Sequence, residues 1–319
     1  MIRRLLKLSL IATLSTIAAA SHAFPDRPIK LIVPFGAGSS VDAIARQFGS
    51  ALADVVKQPV VIDNKAGAEG SIGAQALTSA PPDGYTAMLT SSSLPVLAPL
   101  MNKSIPFDPV KDFMPICTVG RIDNVINMRS SLPFKTLAEF LAAAKAAPGK
   151  YTFAYSSATT RLGGELLQQE TGIKLLGVPY KTTIAGLADV AADRVDLFFV
   201  DHVSVGAFYD SGKIKPIAVS GSRRLSAFPA VPTMAESGIP NYDLYPWFAV
   251  YVPARTPEPI AAQLRDAARK ALEAPALQDW LSKGGFDKFV VCGDDLSKLQ
   301  VSEMQRWGGV IKKANIEPQ

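Results

Sequence analysis

The stretch IKLIVPFGAGSSVDAIARQFGSALADV, residues 29–55, determines the fold class. Its first seven residues are apolar or β-branched apart from Lys30, which is typical of a buried strand. After the loop Gly36–Ser40, apolar residues recur at helical spacing, at Val41, Ile44, Ala45, Phe48, Leu52 and Val55. A strand, a small-residue loop and an amphipathic helix in this order predict one unit of a parallel α/β sheet.

The same alternation continues along the chain. Further strands are predicted at 59–63, 85–90, 151–155, 174–178, 196–200, 214–219 and 247–252. Residues 111–128 read as one long extended segment, which we expect to pass from a first sheet to a second. The expected architecture is α/β, with two lobes that are each a mainly parallel sheet flanked by helices. Lobe 1 is expected to comprise residues 24–122 and 247–319, and lobe 2 residues 123–246.

The first 23 residues have the pattern of a secretory signal peptide. A basic start precedes a 13-residue run without charge at 8–20, and Ser21 and Ala23 stand at the −3 and −1 positions of a cleavage site. A membrane anchor is the alternative, but it needs about 20 apolar residues to cross the hydrocarbon core. We therefore expect cleavage before Phe24 and a product exported to the periplasm.

Charge and histidine content exclude several classes of function. The chain has 319 residues, 33 Lys and Arg against 28 Asp and Glu, and two histidines. Residues 1–23 hold three of the basic residues and no acid, so the mature chain has 30 against 28, a net charge of +2. With no basic block, nucleic-acid binding is not expected. Because His22 lies in the leader, only His202 remains, and mechanisms that need two histidines are excluded.

Cys117 and Cys292 are the only cysteines. In an oxidising compartment they could form a disulfide, or both could be buried free thiols, and the sequence favours neither. A cysteine pair without supporting histidines does not indicate a metal site, and no motif indicates a cofactor.

The loop Gly36–Ser40 is a candidate anion site because it leads into a helix N-terminus, where free N–H groups and the helix dipole favour negative charge. A carboxylate is the simplest guest. In the alternative, Ser39 is only the helix N-cap and Asp42 accepts a backbone N–H as in a capping box. The loop matches neither nucleotide-binding pattern, GxGxxG or GxxxxGK[ST].

A second group of hydroxyl-bearing residues, 156–160, follows the strand at 151–155 in the equivalent place, and Arg161 comes next. Arg161 could pair with a carboxylate or be a solvated surface charge. Asp201 is expected at a strand end as a hydrogen-bond acceptor. A Ser-His-Asp hydrolase is disfavoured, because there is no GxSxG elbow and His202 directly follows Asp201 in the sequence.

Ten segments carry a family resemblance, and they are PDRPIKLIVPFGAG..VD (25–42), QPVVIDNKAGAEGSIGA (58–74), PPDGYTAML (81–89), PFDPVKDFMPI (106–116), GVPYK (177–181), DRVDLFF.D (193–201), SGKIKPIAVS (211–220), FPAVPTMAESGIPNY (228–242), WFAVYVPARTP (247–257) and RWGGVIKKANI (306–316). In this order they cover the mature chain from end to end. The sequence resembles the extracytoplasmic solute receptors of tripartite tricarboxylate transporters, the Bug-type binding proteins.

The resemblance implies a type II-like, two-lobed periplasmic binding protein that is not an enzyme. Such a receptor closes on a small organic acid, a mono-, di- or tricarboxylate or an aromatic acid, and delivers it as a monomer to membrane permease subunits. The candidate ligand-binding residues are Phe35, Gly36, Gly38, Ser39, Ser40, Asp42, Ser91, Ser92, Ser156, Ser157, Thr160, Arg161, Thr182, Asp201 and His202.

Four residues depart from the family pattern. Ser39 replaces the second of two glycines, Arg161 stands where His is frequent, His202 where Asn is frequent, and Thr182 where Gly is usual. Arg161 and His202 are therefore expected to adapt the cleft, and Arg161 suggests a second acidic or polar group on the guest. Two other functions remain open, a ligand-presenting partner of a sensor protein and, less favoured, an exported hydrolase.

Overall fold

The computed structural model describes residues 24–242, 244–313 and 315–318. The predicted signal peptide, residues 1–23, lies outside the described residues. Ten strands are present in the described part: β1 (Ile29–Val33), β2 (Val60–Asn64), β3 (Thr86–Ser91), β4 (Phe113–Arg121), β5 (Val125–Arg129), β6 (Tyr151–Tyr155), β7 (Leu175–Pro179), β8 (Leu197–Val200), β9 (Ile214–Val219) and β10 (Trp247–Pro253).

Helices alternate with the strands along most of the chain. They are α1 (Ser40–Val56), α2 (Ser71–Thr78), α3 (Ala98–Met101), α4 (Leu137–Ala146), α5 (Ala158–Thr171), α6 (Thr183–Ala191), α7 (His202–Val205), α8 (Ala207–Asp210), α9 (Glu258–Leu272), α10 (Pro275–Lys283) and α11 (Asp294–Lys313). None of these helices combines the length and apolar character needed to cross a membrane, as far as the described part of the chain extends.

The strands form two five-stranded sheets, one in each lobe. The first has the order β2-β1-β3-β10-β4 and the second β7-β6-β8-β5-β9. In the first sheet, β10 is antiparallel to both of its neighbours, and in the second sheet β5 is. The other four strands of each sheet therefore share one direction. The expected mainly parallel sheets are mixed sheets, with one reversed strand in each.

The reversed strands are the two that receive the chain from the other lobe. The chain leaves the first sheet at the carboxyl end of β4 and enters the second as β5, and it returns from β9 to β10. The carboxyl ends of the strands with a common direction lie at one edge of each sheet. A chain that arrives at that edge must run the opposite way, which explains why β5 and β10 are the reversed strands.

The two crossings are hydrogen-bonded to each other. Ile122 N donates to Pro246 O at 3.1 Å. Asn124 N donates to Ser220 Oγ at 2.9 Å, and Ser220 N donates to Asn124 O at 2.8 Å. Ser220 Oγ in turn donates to Leu244 O at 2.7 Å. This ladder holds the crossings side by side, as expected of a hinge between lobes.

Helix α1 packs on the first sheet through the apolar face that its spacing predicts. Ile44, Phe48 and Leu52 are buried against strand residues such as Leu31 and Val250. Burying a side chain of this size stabilises the fold by about 1.5–3 kcal/mol. This packing fixes the start of α1, and with it the loop Gly36–Ser40, at the sheet edge.

Cys117 on β4 and Cys292 form a disulfide. Cys292 belongs to an extended segment that follows α10 and pairs with β4, with Thr118 N donating to Val291 O at 2.8 Å. The bond therefore joins two parts of the first lobe that are 175 residues apart in the sequence.

Candidate functional site

A cavity lies between the carboxyl edges of the two sheets, and both lobes contribute to it. It is lined by Phe35, Ser39, Ser40, Val41, Ser91, Asn124, Ser157, Thr159, Thr160, Thr183, Val200, Asp201, Ser204, Pro246 and Phe248. Parallel strands place their ligand sites at this edge, and the strand-end loops identified from the sequence do meet there.

The N-terminus of α1 is built as its capping residues predict. Ser39 is the N-cap, and its Oγ accepts Asp42 N at 3.3 Å and donates to Gly36 O at 2.8 Å. The carboxylate of Asp42 accepts Gly38 N at 3.0 Å. This is the expected capping arrangement, except that Asp42 binds the amide of Gly38 instead of that of Ser39.

Asp42 is buried behind the loop and does not line the cavity. Its carboxylate also accepts Arg46 Nε at 3.1 Å and Asn64 Nδ2 at 3.0 Å. Burial alone would raise the pKa of Asp42, but the hydrogen bonds from Arg46, Gly38 and Asn64 outweigh burial and lower it. Asp42 therefore shapes the loop from behind and faces away from the space where a guest would lie.

Ser40 connects the two lobes directly. Ser40 Oγ donates to Asp201 Oδ2 at 2.7 Å, and Ser40 N donates to Ser204 Oγ at 3.0 Å. Asp201 is the N-cap of α7 and also accepts Ser204 N at 2.9 Å. These are buried bonds between the first helix of one lobe and a strand end of the other. The cleft is therefore closed at this point.

The N-terminus of α5 faces the cavity from the second lobe. Ser157 is its N-cap, and Thr160 Oγ1 accepts both Ser156 N and Ser157 N at 3.0 Å. This capping box starts the helix at Ala158. Thr159 N donates to Ser93 Oγ of the first lobe at 3.1 Å, a second bond across the cleft.

Two buried polar atoms on the cavity wall have no partner in the structure, Asn124 Nδ2 and Thr159 Oγ1. Both residues are about 4% exposed. Buried polar atoms are nearly always hydrogen-bonded, so unpartnered ones on a cavity wall indicate where a guest would supply the missing partner.

Arg161 is buried but points away from the cavity. Its guanidinium donates to Met101 O at 3.3 Å and to Glu317 O at 3.2 Å. Glu69 and Glu165 lie within its electrostatic reach. Burial raises the pKa of both carboxyls, and the charge of Arg161 offsets part of that rise. The structure thus places Arg161 as a link from α5 to α3 of the first lobe.

His202 lies behind the cavity, where the second lobe meets the first. Its ring packs edge-on against Phe228, with centroids 6.0 Å apart, and Gly285 of the first lobe lies beside it. The ring atom Nδ1 is buried without a partner. Burial lowers the pKa of His202, and the Asp201 carboxylate and a hydrogen bond to Gly284 offset only part of this effect.

The remaining candidates lie at the rim or in the wall behind it. Gly36 lies against Thr182, and a Cβ built on Gly36 would be 2.8 Å from Thr182 Cγ2. Gly38 lies similarly against Ile184. Ser92 binds β10, where its N–H donates to Trp247 O at 2.7 Å.

Ser156 is bonded through its Oγ to Thr183 Oγ1 at 3.0 Å. Of the fifteen candidates, the structure brings seven together on the cavity wall: Phe35, Ser39, Ser40, Ser91, Ser157, Thr160 and Asp201.

Several wall residues were not among the sequence-based candidates. Asn124 belongs to the first crossing, and Pro246 and Phe248 flank the start of β10 at the second. The position of the crossings follows from the strand pattern, but no local signal indicates that they run past the cavity. Ser204 was recoverable from the sequence, because an N-cap Asp followed three residues later by Ser places that hydroxyl near the carboxylate.

Comparison with known proteins agrees with this geometry. Residues 44–316 match the profile of the tripartite tricarboxylate transporter family receptor. The chain is 33% identical over 315 residues to a UPF0065 protein of Bordetella pertussis, covering 97% of both chains. It is 35% identical over 307 residues to protein BugT of the same organism, covering 95% of this chain and 94% of BugT.

Solved structures of similar proteins share the fold. The periplasmic binding protein BugD is 29% identical, with a TM-score of 0.87 over 93% of this chain and all of BugD. Rpa4515 of R. palustris, solved with adipate, is 30% identical with a TM-score of 0.88 over 93% and 100% of the two chains. MatC of Rhodopseudomonas palustris, solved with malate, is 26% identical with a TM-score of 0.83 over 90% and 100%.

Proposed function

The chain belongs to the tripartite tricarboxylate transporter receptor family, a family of periplasmic binding proteins and not of enzymes, and from that premise we propose that it captures a small organic carboxylate between its lobes. The guest is then delivered to membrane subunits of a tripartite tricarboxylate-type transporter. Two relatives solved with adipate and malate support a carboxylate as the guest. The single observation that carries the proposal is the cavity between the lobes, with the N-termini of α1 and α5 on its wall.

The carboxylate of the guest is held by neutral donors. The N-termini of α1 and α5 offer the positive ends of the helix dipoles, and the hydroxyls of Ser91 and Ser157 add donors. Inside a protein, where the effective dielectric constant is lower than in water, these interactions are stronger than at a surface. Binding an anion therefore does not need a large positive net charge, and the net charge of the mature chain is only +2.

Binding works through closure of two lobes, residues 24–122 with 247–319 and residues 123–246. The hinge is the pair of crossings that contains Asn124 and Ser220. Because Ser40 and Thr159 bind across the cleft, the closed state has bonds that an open state lacks. A guest that contacts both walls shifts the equilibrium further towards closure.

We place the mature protein in the periplasm, after cleavage of the leader before Phe24. The leader pattern and the periplasmic relatives support this location. N-terminal sequencing of the protein recovered from a periplasmic extract tests it, with Phe24 as the expected first residue.

A thermal-shift screen of dialysed protein tests the binding proposal. Mono-, di- and tricarboxylates and aromatic acids are screened beside sugars and amines of similar size. At 100-fold excess over Kd, a true guest stabilises the protein by about 2.7 kcal/mol, which raises Tm by a few degrees. A screen in which no acid raises Tm would refute the proposal.

Matched variants show whether the binding occurs in the cleft. Thr159→Asp adds a carboxylate where the guest is expected and should abolish the shift. Gln169→Glu adds the same charge at an exposed position on the same helix and should leave the shift unchanged.

A further inference from the structure

Arg161 crosses the boundary between the lobes at a place outside the cavity. It lies on α5 in the second lobe, and it is only 5% exposed. Among the described residues, its guanidinium donates two hydrogen bonds, to Met101 O at 3.3 Å and to Glu317 O at 3.2 Å. Both acceptors are backbone oxygens of the first lobe. Both bonds therefore cross the boundary.

The segment 315–318, which contains Glu317, is turned towards α5 at the end of α11. Asn315 has a left-handed backbone with φ of 50°, and Ile316 N donates back to Ile311 O at 3.1 Å. This is the Schellman pattern, which ends a helix and redirects the chain. The segment then lines a polar cavity together with one face of α5. It therefore reaches from the first lobe to the second.

Helix α11 itself is fixed to the first lobe. Gln300 is buried, and its amide donates to Pro95 O at 3.3 Å and accepts the hydroxyl of Tyr251, on β10, at 3.2 Å. Trp307 of the same helix is also buried. The segment 315–318 therefore moves with the first lobe when the lobes separate.

Two half-buried carboxyls complete the surroundings of Arg161. Glu69 belongs to the first lobe and Glu165 to α5. Burial raises the pKa of both carboxyls, and the charge of Arg161 offsets part of that rise. A buried charge needs partners of this kind, because burying it uncompensated costs free energy. Most of the groups that compensate Arg161 lie across the boundary, on the first lobe.

Removing the guanidinium should therefore affect mainly the closed state. With the lobes together, Met101 O and Glu317 O would lose a charged donor, and Glu69 would lose its nearby cation. With the lobes apart, water takes the place of Arg161 at each of these groups. A neutral residue at position 161 therefore destabilises the closed state relative to the open one.

We propose that Arg161 and the segment 315–318 form an interlobe clasp that slows release of the guest. The inference rests on the proposed receptor function. Arg161 is a positioning residue, because it acts through α5, whose N-terminal residues Ser157 and Thr160 lie on the cavity wall. Differences in affinity among variants of one complex lie mostly in the rate of dissociation, so the clasp affects mainly that rate.

Stopped-flow fluorescence tests the proposal, with lactate, malate, adipate, citrate and benzoate as probes. The rate constants are measured with the acid that raises Tm most. Arg161→Gln should raise the release rate constant roughly fivefold or more, because bonds from a charged donor are lost, and should leave the association rate constant nearly unchanged. Arg161→Lys keeps the charge and can bond one of the two oxygens, so its release rate should be intermediate. Lys174→Gln removes the same charge at an exposed position of the second lobe and should change neither rate.

Ending the chain at residue 314 tests the clasp from the side of the first lobe. Release should again become faster. Arg161→Gln should then accelerate release at least twofold less in the shortened chain than in the full chain, because the two changes remove the same bond to Glu317. Circular dichroism and Tm identify a misfolded variant, and Arg161→Lys replaces Arg161→Gln in the cycle if that variant misfolds.

The outcomes separate this inference from the function beneath it. The inference is wrong, and the receptor function stands, if the Arg161 variant releases the acid at the parent rate. The same holds if it slows association as much as it speeds release, or if the two changes multiply without coupling. If none of the five acids and no acid of the wider screen binds, both are wrong.

Discussion

Replacing Gly36 by alanine should weaken guest binding without destabilising either lobe. The new Cβ would lie 2.8 Å from Thr182 Cγ2 and 3.1 Å from Thr182 Cβ. Carbon atoms pack best at about 3.5–4.0 Å, so the two walls would have to separate by roughly 1 Å. Gly36 lies on the first lobe and Thr182 on the second, so this strain exists only when the cleft is closed.

The size of the effect follows from the cost of overpacking. Inserting a methyl group into a well-packed contact costs about 1–3 kcal/mol. At 1.4 kcal/mol for each factor of ten, affinity should fall by about 5- to 140-fold. Tm of the guest-free protein is expected to fall much less than that energy implies, because the clash vanishes when the lobes separate.

A second-site change tests the mechanism. Thr182→Ser removes Cγ2 but keeps the hydroxyl that caps α6 by accepting Ala185 N at 3.2 Å. In a double-mutant cycle measured by calorimetry, Thr182→Ser should restore most of the affinity that Gly36→Ala loses. Gly309→Ala is the control, because a Cβ there meets nothing within 4 Å. Unchanged affinity in Gly36→Ala, or a loss that Thr182→Ser does not reduce, would refute the closed-cleft geometry.

Three further predictions concern the contacts around the cleft and the first lobe. Ser40→Ala removes one hydrogen-bond donor from the buried Asp201, so we expect the closed state to be destabilised by about 1–3 kcal/mol. Calorimetry should show this as weaker guest binding, and an affinity equal to that of the parent would contradict the prediction. Burial lowers the pKa of His202 in the folded state. The folding stability that depends on its neutral form is therefore fully present above about pH 6.5, the ordinary pKa of histidine, and is lost as the pH falls towards the folded-state pKa. The Tm of the parent should therefore fall more between pH 7 and pH 5 than the Tm of His202→Asn. An equal fall in the two proteins would contradict the prediction. Reducing the bond between Cys117 and Cys292 releases a 175-residue loop, so unfolding should become easier by up to about 5 kcal/mol in denaturant titrations, with guest affinity little changed because both residues lie in the first lobe.

The strand-end loops were predictable because local sequence determines them. A strand, a small-residue loop and a capped helix place Ser39, Ser40, Ser157 and Thr160 at a sheet edge whatever the rest of the chain does. The common direction of the strands then brings the loops of each lobe to the cleft. For the same reason the position of Asp201 at the end of β8 was correctly expected.

The orientation of individual side chains was not predictable. Arg161 is the fourth residue of α5, and its position on the helix circumference points it to Met101 and away from the guest. Asn124 reaches the cavity because β4 and β10 pair and bring the two crossings together. Both outcomes depend on long-range packing, and neither has a signature in the local sequence.

The central claim, that the cleft captures a small organic acid, is tested most directly by identifying the molecule that the protein carries. The protein is purified from periplasmic extract without dialysis, and its guest is released by denaturation and identified by mass spectrometry, with Thr159→Asp purified in parallel. We expect a small organic acid, close to one per protein molecule in the parent and absent from the variant. A parent that releases no organic acid, or releases the same molecules as the variant, would contradict the claim.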